Sequence, residues 1–397
     1  MTATTRSDLY GRTTGTRTRE LPMRQLNACM WGHVSAGDGP VRLGGCGRPV
    51  DLGKRVPIYG HDQRWVPGAL ATCDNALLCD FCSDRFWAKS SDRFKVHFTD
   101  WFDNGGQLLH ITLTLPHGPD DRLADLMAGL LSGFKDLRES DEWRAAGIVD
   151  WVRVLHLRWS ETNGWHPHYH VTAFARPGFE CNWTAAFDQL QAAWRDSLYR
   201  KGFASTSKKH GLTARFFASG MRALYAWDHR RDEDDEPDYG YSYEPQHAPE
   251  LEHDYEPNHD PSLDQDYDPE HSGSLSLREV AVAALEGDQR AWRVWEEACL
   301  ALRGKPVVHA SKMLNEVWKD YMEANPEPEP ETLDLEPVMF VSSKLWERAR
   351  RAGCTQMGLA VGAEHGPRGL AQFWATRLGL ELVLEPSGQG PPVLACR

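Results

Sequence analysis

One stretch in the middle of the chain constrains its fold more than any other: WVRVLHLRWSET (151–162) and WHPHYHVTAFA (165–175), on either side of Asn163-Gly164. Both halves are rich in β-branched and aromatic residues, and Asn-Gly best tolerates the positive φ angles of a two-residue hairpin turn. Two antiparallel strands are therefore expected. Side chains alternate across a strand, so His166, His168 and His170 share one face. With Asn163 and Gly164 as the turn, Glu161 pairs opposite His166 and diagonal to His168, adding a carboxylate to the row. Two or three imidazoles and a carboxylate on a rigid hairpin are ligands for a divalent cation, with positions left open for substrate oxygens. The pairing leaves two ligand pairs open, His168 with His170 or His166 with His168.

The neighbouring segments extend the pattern. LLHITLTL (108–115), closed by Pro116, reads as a buried strand, and residues 119–138 carry Leu123, Leu126, Met127, Leu130, Leu131, Phe134 and Leu137 at helical spacing. Asn182 is placed to cap a helix running to about Tyr199; GLTARFF then reads as a strand and MRALYAWDHRR as a helix. Strand, helix, hairpin, helix, strand, helix is an α+β order built on an antiparallel sheet. Further on, SLREVAVAALEGDQRAWRVWEEACLAL, HASKMLNEVWKDYMEA and LWERARRAG read as helices, followed by the apolar run LGLELVLEP.

Nine cysteines, in a chain whose first residues hold no apolar run resembling a signal peptide, point to reduced thiols and metal ligands. No segment approaches the roughly 18 apolar residues of a membrane span, so a cytoplasmic protein is expected. Cys73, Cys79 and Cys82 form C-x5-C-x2-C, and Cys46 in CGRPV offers a fourth thiolate from a separate loop, with Cys29 as the alternative. Four sulfurs suit tetrahedral zinc in a structural site. The net charge of −13 looks wrong for a nucleic-acid protein until it is located: residues 232–270 hold 16 Asp and Glu and no Lys or Arg. The remainder is close to neutral or mildly basic. An acidic, proline-rich segment without apolar periodicity cannot offset its ordering entropy and is expected to be a disordered linker.

GWHPHYHV resembles the histidine-hydrophobic-histidine (HUH) motif of rolling-circle replication initiators, and the upstream HITLTLPH resembles that family's first motif. The cysteine cluster and SLSLREVAVAALEGDQRAWRVWEEACLALRGK are similar to the initiators of actinobacterial rolling-circle plasmids. The resemblance covers about residues 40–320, with the acidic segment as an insertion. It implies an HUH endonuclease core in which His168 and His170 are the paired ligands, Glu161 is the third and His166 the spare. It also implies a helical tyrosine nucleophile, at Tyr225 in ALYAWDHRR, with Tyr199, Tyr239 and Tyr241 as the other choices. Where the family commonly has a lysine three residues after the tyrosine, Asp228 stands here, and His229, Arg230 and Arg231 are near enough to supply charge.

The function so implied is plasmid replication initiation by nicking and rejoining single-stranded origin DNA through a 5′-phosphotyrosine. Mg²⁺ or Mn²⁺ would serve the histidines and Zn²⁺ the cysteines. Single-stranded and hairpin origin DNA, with host helicase and polymerase, would be the partners. Trp159, Trp165, Arg230 and Arg231 are the candidate DNA contacts. A transposase or relaxase of the same superfamily is the alternative with the same chemistry, and a non-catalytic zinc-stabilised DNA-binding protein the alternative without it. The expected organisation is a flexible tail (1–25), a cysteine-rich zinc module (26–100), the nuclease core (101–231), the acidic linker (232–274) and a mainly helical region completing or flanking the core (275–397).

Overall fold

The computed structural model describes residues 21–31, 41–50, 55–61, 64–68, 70–177, 183–204, 206, 211–217, 273–324, 336–387 and 390–397. The helix expected around Tyr225, the proposed cap Asn182, the acidic linker, Tyr239, Tyr241, Arg230 and Arg231 lie outside the described residues. Along the chain run α1 (Pro22–Trp31), α2 (Val41–Gly45), β1 (Arg55–His61), β2 (Arg64–Pro67), α3 (Asp80–Asp103), β3 (Gln107–Thr114), α4 (Leu123–Glu139) and α5 (Asp141–Ala145). Then follow β4 (Ile148–Ser160), β5 (Gly164–Ala175), α6 (Trp183–Arg200), β6 (Leu212–Phe216), β7 (Leu275–Ser276), α7 (Leu277–Leu285), α8 (Gln289–Ala301) and β8 (Val308–Ala310). The remaining elements are α9 (Lys312–Ala324), β9 (Met339–Ser342), α10 (Ser343–Arg351), α11 (Thr355–Leu378), β10 (Leu382–Ser387) and β11 (Gly390–Cys396). The class is α+β. Among the described residues no helix is long and apolar enough to cross a membrane.

The larger sheet runs β6-β3-β5-β4, with β7 and β8 both pairing the far edge of β4, and every pairing is antiparallel. Alternation gives it two apolar faces. Leu109, Ile111, Leu113, Leu155, Tyr169 and Val171 face one core, shared with α4, α6, α7 and α8. Leu108, Val152, Val154 and Phe174 face the other, where Phe94 and Phe98 of α3 and Leu314 of α9 cover them. The histidines belong to this second face. Helix α7 begins with a reciprocal cap, Ser276 Oγ accepting from Glu279 N–H and Glu279 accepting from Ser276 N–H, and Asp288 caps α8. These caps divide the long helical stretch read after the linker into two.

The hairpin differs from the two-residue turn expected at Asn163-Gly164. Its connection is Glu161-Thr162-Asn163, and Ser160 pairs with Gly164. Gly164 has φ 71, the left-handed conformation that closes three-residue hairpin loops. A side chain there would also strike the Gly118 carbonyl, 2.6 Å from an ideal Cβ. Arg158 therefore opposes His166, where the expected register put Glu161. A displacement by an odd number of residues moves every side chain of β4 to the other face of the sheet.

A second sheet, ordered β10-β11-β9-β1-β2, joins segments from both ends of the sequence. Val56 of β1 pairs with Val341 of β9, so the cysteine-rich region and the C-terminal region share one ladder. Strand β9 runs parallel to β11 and antiparallel to β1. Val56, Ile58, Met339, Val341, Leu345, Trp346, Leu370 and Trp374 form its core beneath α10 and α11. Strands β7 and β8, encoded after the acidic segment, extend the histidine sheet, so the C-terminal region supplies strands to both sheets as well as helices.

Candidate metal centres

On the histidine face, β4 and β5 bring three imidazoles together. His156 sits opposite His168 in the strand pairing, and His170 follows two residues along the same face. One ring nitrogen from each lies within 4.8 Å of the other two, and His168 Nε2 is 3.1 Å from His170 Nε2. His168 and His170 are buried and His156 half-buried. Convergent nitrogens at this spacing fit a single divalent cation, whose bonds to imidazole are about 2.0–2.1 Å for zinc. The third member escaped the sequence reading because the odd register shift hid it. Its signal was present in the alternation Val152, Val154, His156 along β4.

Two further histidines brace the row. His110 of β3 places its Nε2 2.8 Å from His170 Nδ1, with Thr112 Oγ1 3.4 Å from the same nitrogen. Those contacts use the nitrogen of His170 remote from His168, as outer partners of a metal ligand do. At the other end, His117 Nδ1 lies 3.0 Å from the Asn163 carbonyl, and its Nε2 lies 2.6 Å from His166 Nδ1. A carbonyl only accepts, so His117 Nδ1 carries the hydrogen; in neutral His117 the Nε2 then accepts from His166. His166 lies outside the group of three whose ring nitrogens converge.

Glu161 does not join the histidines. It lies in the exposed turn, and Arg290 Nη1 donates to its carboxylate at 2.8 Å. Trp159 and Trp165 are likewise not stacking platforms. Both are buried, Trp159 beneath the Arg290 guanidinium and Trp165 with its Nε1 donating to Glu297 Oε2 at 3.0 Å. Tyr199 is exposed on α6, in the layer covering the opposite face of the sheet.

The second centre gathers Cys46, Cys73, Cys79 and Cys82, all buried and none in a disulfide. Sulfur separations are 3.5 Å for Cys46–Cys79, 3.5 Å for Cys73–Cys82 and 3.7 Å for Cys46–Cys82. Tetrahedral zinc, with bonds of about 2.3 Å, sets its sulfurs roughly 3.8 Å apart. The cluster is thus compatible with structural zinc. Thiol contacts from Cys73, Cys79 and Cys82 pull the Cys46 pKa far below its ordinary value, while contact with Cys46 pushes the enclosed Cys79 up. Cys29 stays outside, its Sγ 3.8 Å from the Arg351 carbonyl. The cluster also serves as a joint: Arg24 of α1 and Arg350 of α10 both donate to the Cys46 carbonyl, at 3.5 and 3.1 Å, and Trp346 Nε1 donates to that of Gly47.

Among the described residues, fold and sites together define an α+β protein with a buried thiol centre and a histidine centre on an antiparallel sheet. Curated relatives give that class a context. A protein named "Protein rep" from Streptomyces lividans is 26% identical over 168 residues, 32% of this chain and 37% of the relative. A "Neomycin resistance protein" from Streptomyces cyanogenus is 25% identical over 130 residues, 26% of this chain and 30% of the relative. The matched regions span about a third of the length of these relatives. No family model matches the chain, and no solved structure matches it. The chain is thus similar, over part of its length, to a Streptomyces protein named Protein rep.

Proposed function

We propose that this chain initiates plasmid replication by nicking and rejoining single-stranded origin DNA, with His156, His168 and His170 holding the divalent ion. The observation that carries the reading is the convergence of three imidazole nitrogens within 4.8 Å on a braced hairpin. Magnesium or manganese, when bound, supplies Lewis-acid polarisation of the scissile phosphate. The chain's own groups do the rest. Paired strands fix the imidazoles, and His110 and Thr112 orient His170. The Tyr225 hydroxyl attacks phosphorus in line, the 3′ oxygen leaves and takes up a proton, and the 5′ phosphate stays on the tyrosine. A phenol with an ordinary pKa near 10 needs its proton removed as it attacks. The phosphotyrosine bond preserves the energy of the broken link, so a returning 3′ hydroxyl reverses the step. Single-stranded and hairpin origin DNA is the substrate, and host helicase and polymerase act on the released 3′ end.

Incubation with a hairpin-bearing single-stranded oligonucleotide and Mn²⁺, followed by denaturing electrophoresis, tests the reading. Wild type forms a covalent adduct; Tyr225→Phe and His168→Ala do not. Absence of an adduct from wild type with any divalent ion removes the nicking activity, and an adduct from Tyr225→Phe moves the nucleophile to another tyrosine.

A further inference from the structure

The segment from β9 to β11 holds neither metal centre, and its sequence announces only one helix and an apolar run. In a straight helix over Thr355–Leu378, residues near its two ends would lie about 30 Å apart at 1.5 Å per residue. Trp374 Nε1 instead donates to the Cys354 carbonyl at 3.0 Å. The chain doubles back at Gly366, whose φ 72 and ψ −174 are non-helical, and Pro367 opens the second arm. Element α11 is thus two helices, 355–365 and 367–378, packed on each other. Trp374 also meets Trp346 of α10 edge-on, ring centroids 6.1 Å apart, so the second arm packs on both preceding helices. The β10–β11 hairpin follows directly. Three helices, the third packed on the first two, are the arrangement by which helix-turn-helix proteins offer a helix to the major groove.

The second arm is sharply divided. Leu370 and Trp374 are fully buried, whereas Arg368, Gln372 and Thr376, spaced four residues apart, are exposed, with Arg377 beside them. From His365 to Leu380 the sequence contains no Asp or Glu; Glu364, 3.6 Å from His365, and Glu385 of the hairpin flank the surface. None of the exposed large hydrophobic side chains falls on this arm, as an apolar protein contact would require. An open cleft of about 440 Å³ separates the start of the arm from the hairpin and is lined by His365, Pro367, Arg368, Leu384, Pro386 and Pro392.

We propose that the second arm of α11 enters the major groove of double-stranded DNA and reads its sequence through Arg368, Gln372 and Thr376. This contact is separate from the single strand handled at the histidines. A helix about 10–12 Å across fits a groove of about 12 Å. The three side chains are suited to base edges: Arg pairs with guanine O6 and N7, Gln with adenine N6 and N7, and Thr meets the thymine methyl. The inference rests on the reading of the chain as a DNA-processing protein, and the experiment separates the two.

Full-length protein is carried through selection on a randomised duplex library of about 30 base pairs, long enough for two half-sites. Binding to the selected and a scrambled duplex is then compared by fluorescence anisotropy at about 150 mM salt. A single duplex motif is expected. The combined variant Arg368→Ala, Gln372→Ala, Thr376→Ala should lose at least about tenfold of the preference for that motif. Arg368→Lys, which keeps the charge but not the paired hydrogen bonds, should relax selectivity at one position and leave the salt dependence unchanged. Adduct formation on single-stranded oligonucleotide should match wild type in both variants. Failure to enrich a duplex motif, or a combined variant with wild-type preference, overturns the proposal. A wild type that keeps the motif yet forms no adduct supports this contact while removing the nicking reading.

Discussion

His156 stands directly across the β4–β5 pairing from His168, their ring centroids 5.1 Å apart. That opposition puts one candidate ligand on each strand, so the hairpin pairing itself sets the spacing between them. Replacing His156 with alanine should weaken Mn²⁺ binding by about tenfold or more, as loss of even an outer partner commonly does. Glu161→Ala, which removes only the exposed pair with Arg290, should leave it unchanged. Titration calorimetry distinguishes them; equal losses would return Glu161 to the ligand set.

His110 reaches the far nitrogen of His170 through its Nε2, at 2.8 Å. His110→Ala should therefore lower metal affinity by about 10–100-fold while leaving the three ligands in place. The same titration, with circular dichroism as a check on folding, measures it.

Chelation of the thiol centre should act on stability. Removing zinc, or replacing Cys79 with serine, frees the Cys46 loop to which Arg24 and Arg350 donate. Each kcal/mol lost moves the midpoint of a chain of this size by about 2–4 °C or less, so a drop of several degrees is expected. Elemental analysis should give one zinc per wild-type chain and almost none in the variant; an unchanged Tm with zinc absent would contradict the structural role.

Glu347 gives the C-terminal unit a pH dependence. Burial pushes its carboxyl up, but hydrogen bonding and charge from Arg350, with Arg48 and Arg351, prevail and hold it below its ordinary value. A depressed folded pKa contributes stability that is fully present above the unfolded value and is lost as pH falls through the folded one. Glu347→Gln leaves the buried Arg350 without its carboxylate and should cost about 3 kcal/mol at pH 7. The gap from wild type should narrow as pH falls below the usual carboxylate range, which urea unfolding at a series of pH values will measure.

Local signals in the sequence carried much of the histidine sheet. β3, β5, α4 and β6 emerged where alternation, helical periodicity and Pro116 indicated, because each buries a regular face. The turn did not, since Asn-Gly fits both two- and three-residue loops and no local signal selects between them. His156 was lost with that register. Trp159 and Trp165, candidate DNA contacts by sequence, are buried partly through α8, whose approach no local pattern reports. The thiol centre was legible from the spacing of Cys73, Cys79 and Cys82 plus Cys46 in a separate loop, while the choice between Cys46 and Cys29 needed the fold. The break in α11 was not, although Gly366-Pro367 marks it, because the contact that proves it joins Cys354 to Trp374.

The pairing of Val56 with Val341 has a consequence for how the protein is made. A ribosome delivers β1 long before β9 exists, so the edge that β9 pairs must wait unsatisfied while the intervening residues are synthesised. Prematurely terminated products lack the strand that completes this ladder. Closure of the second sheet thus waits on a segment made about 280 residues after β1.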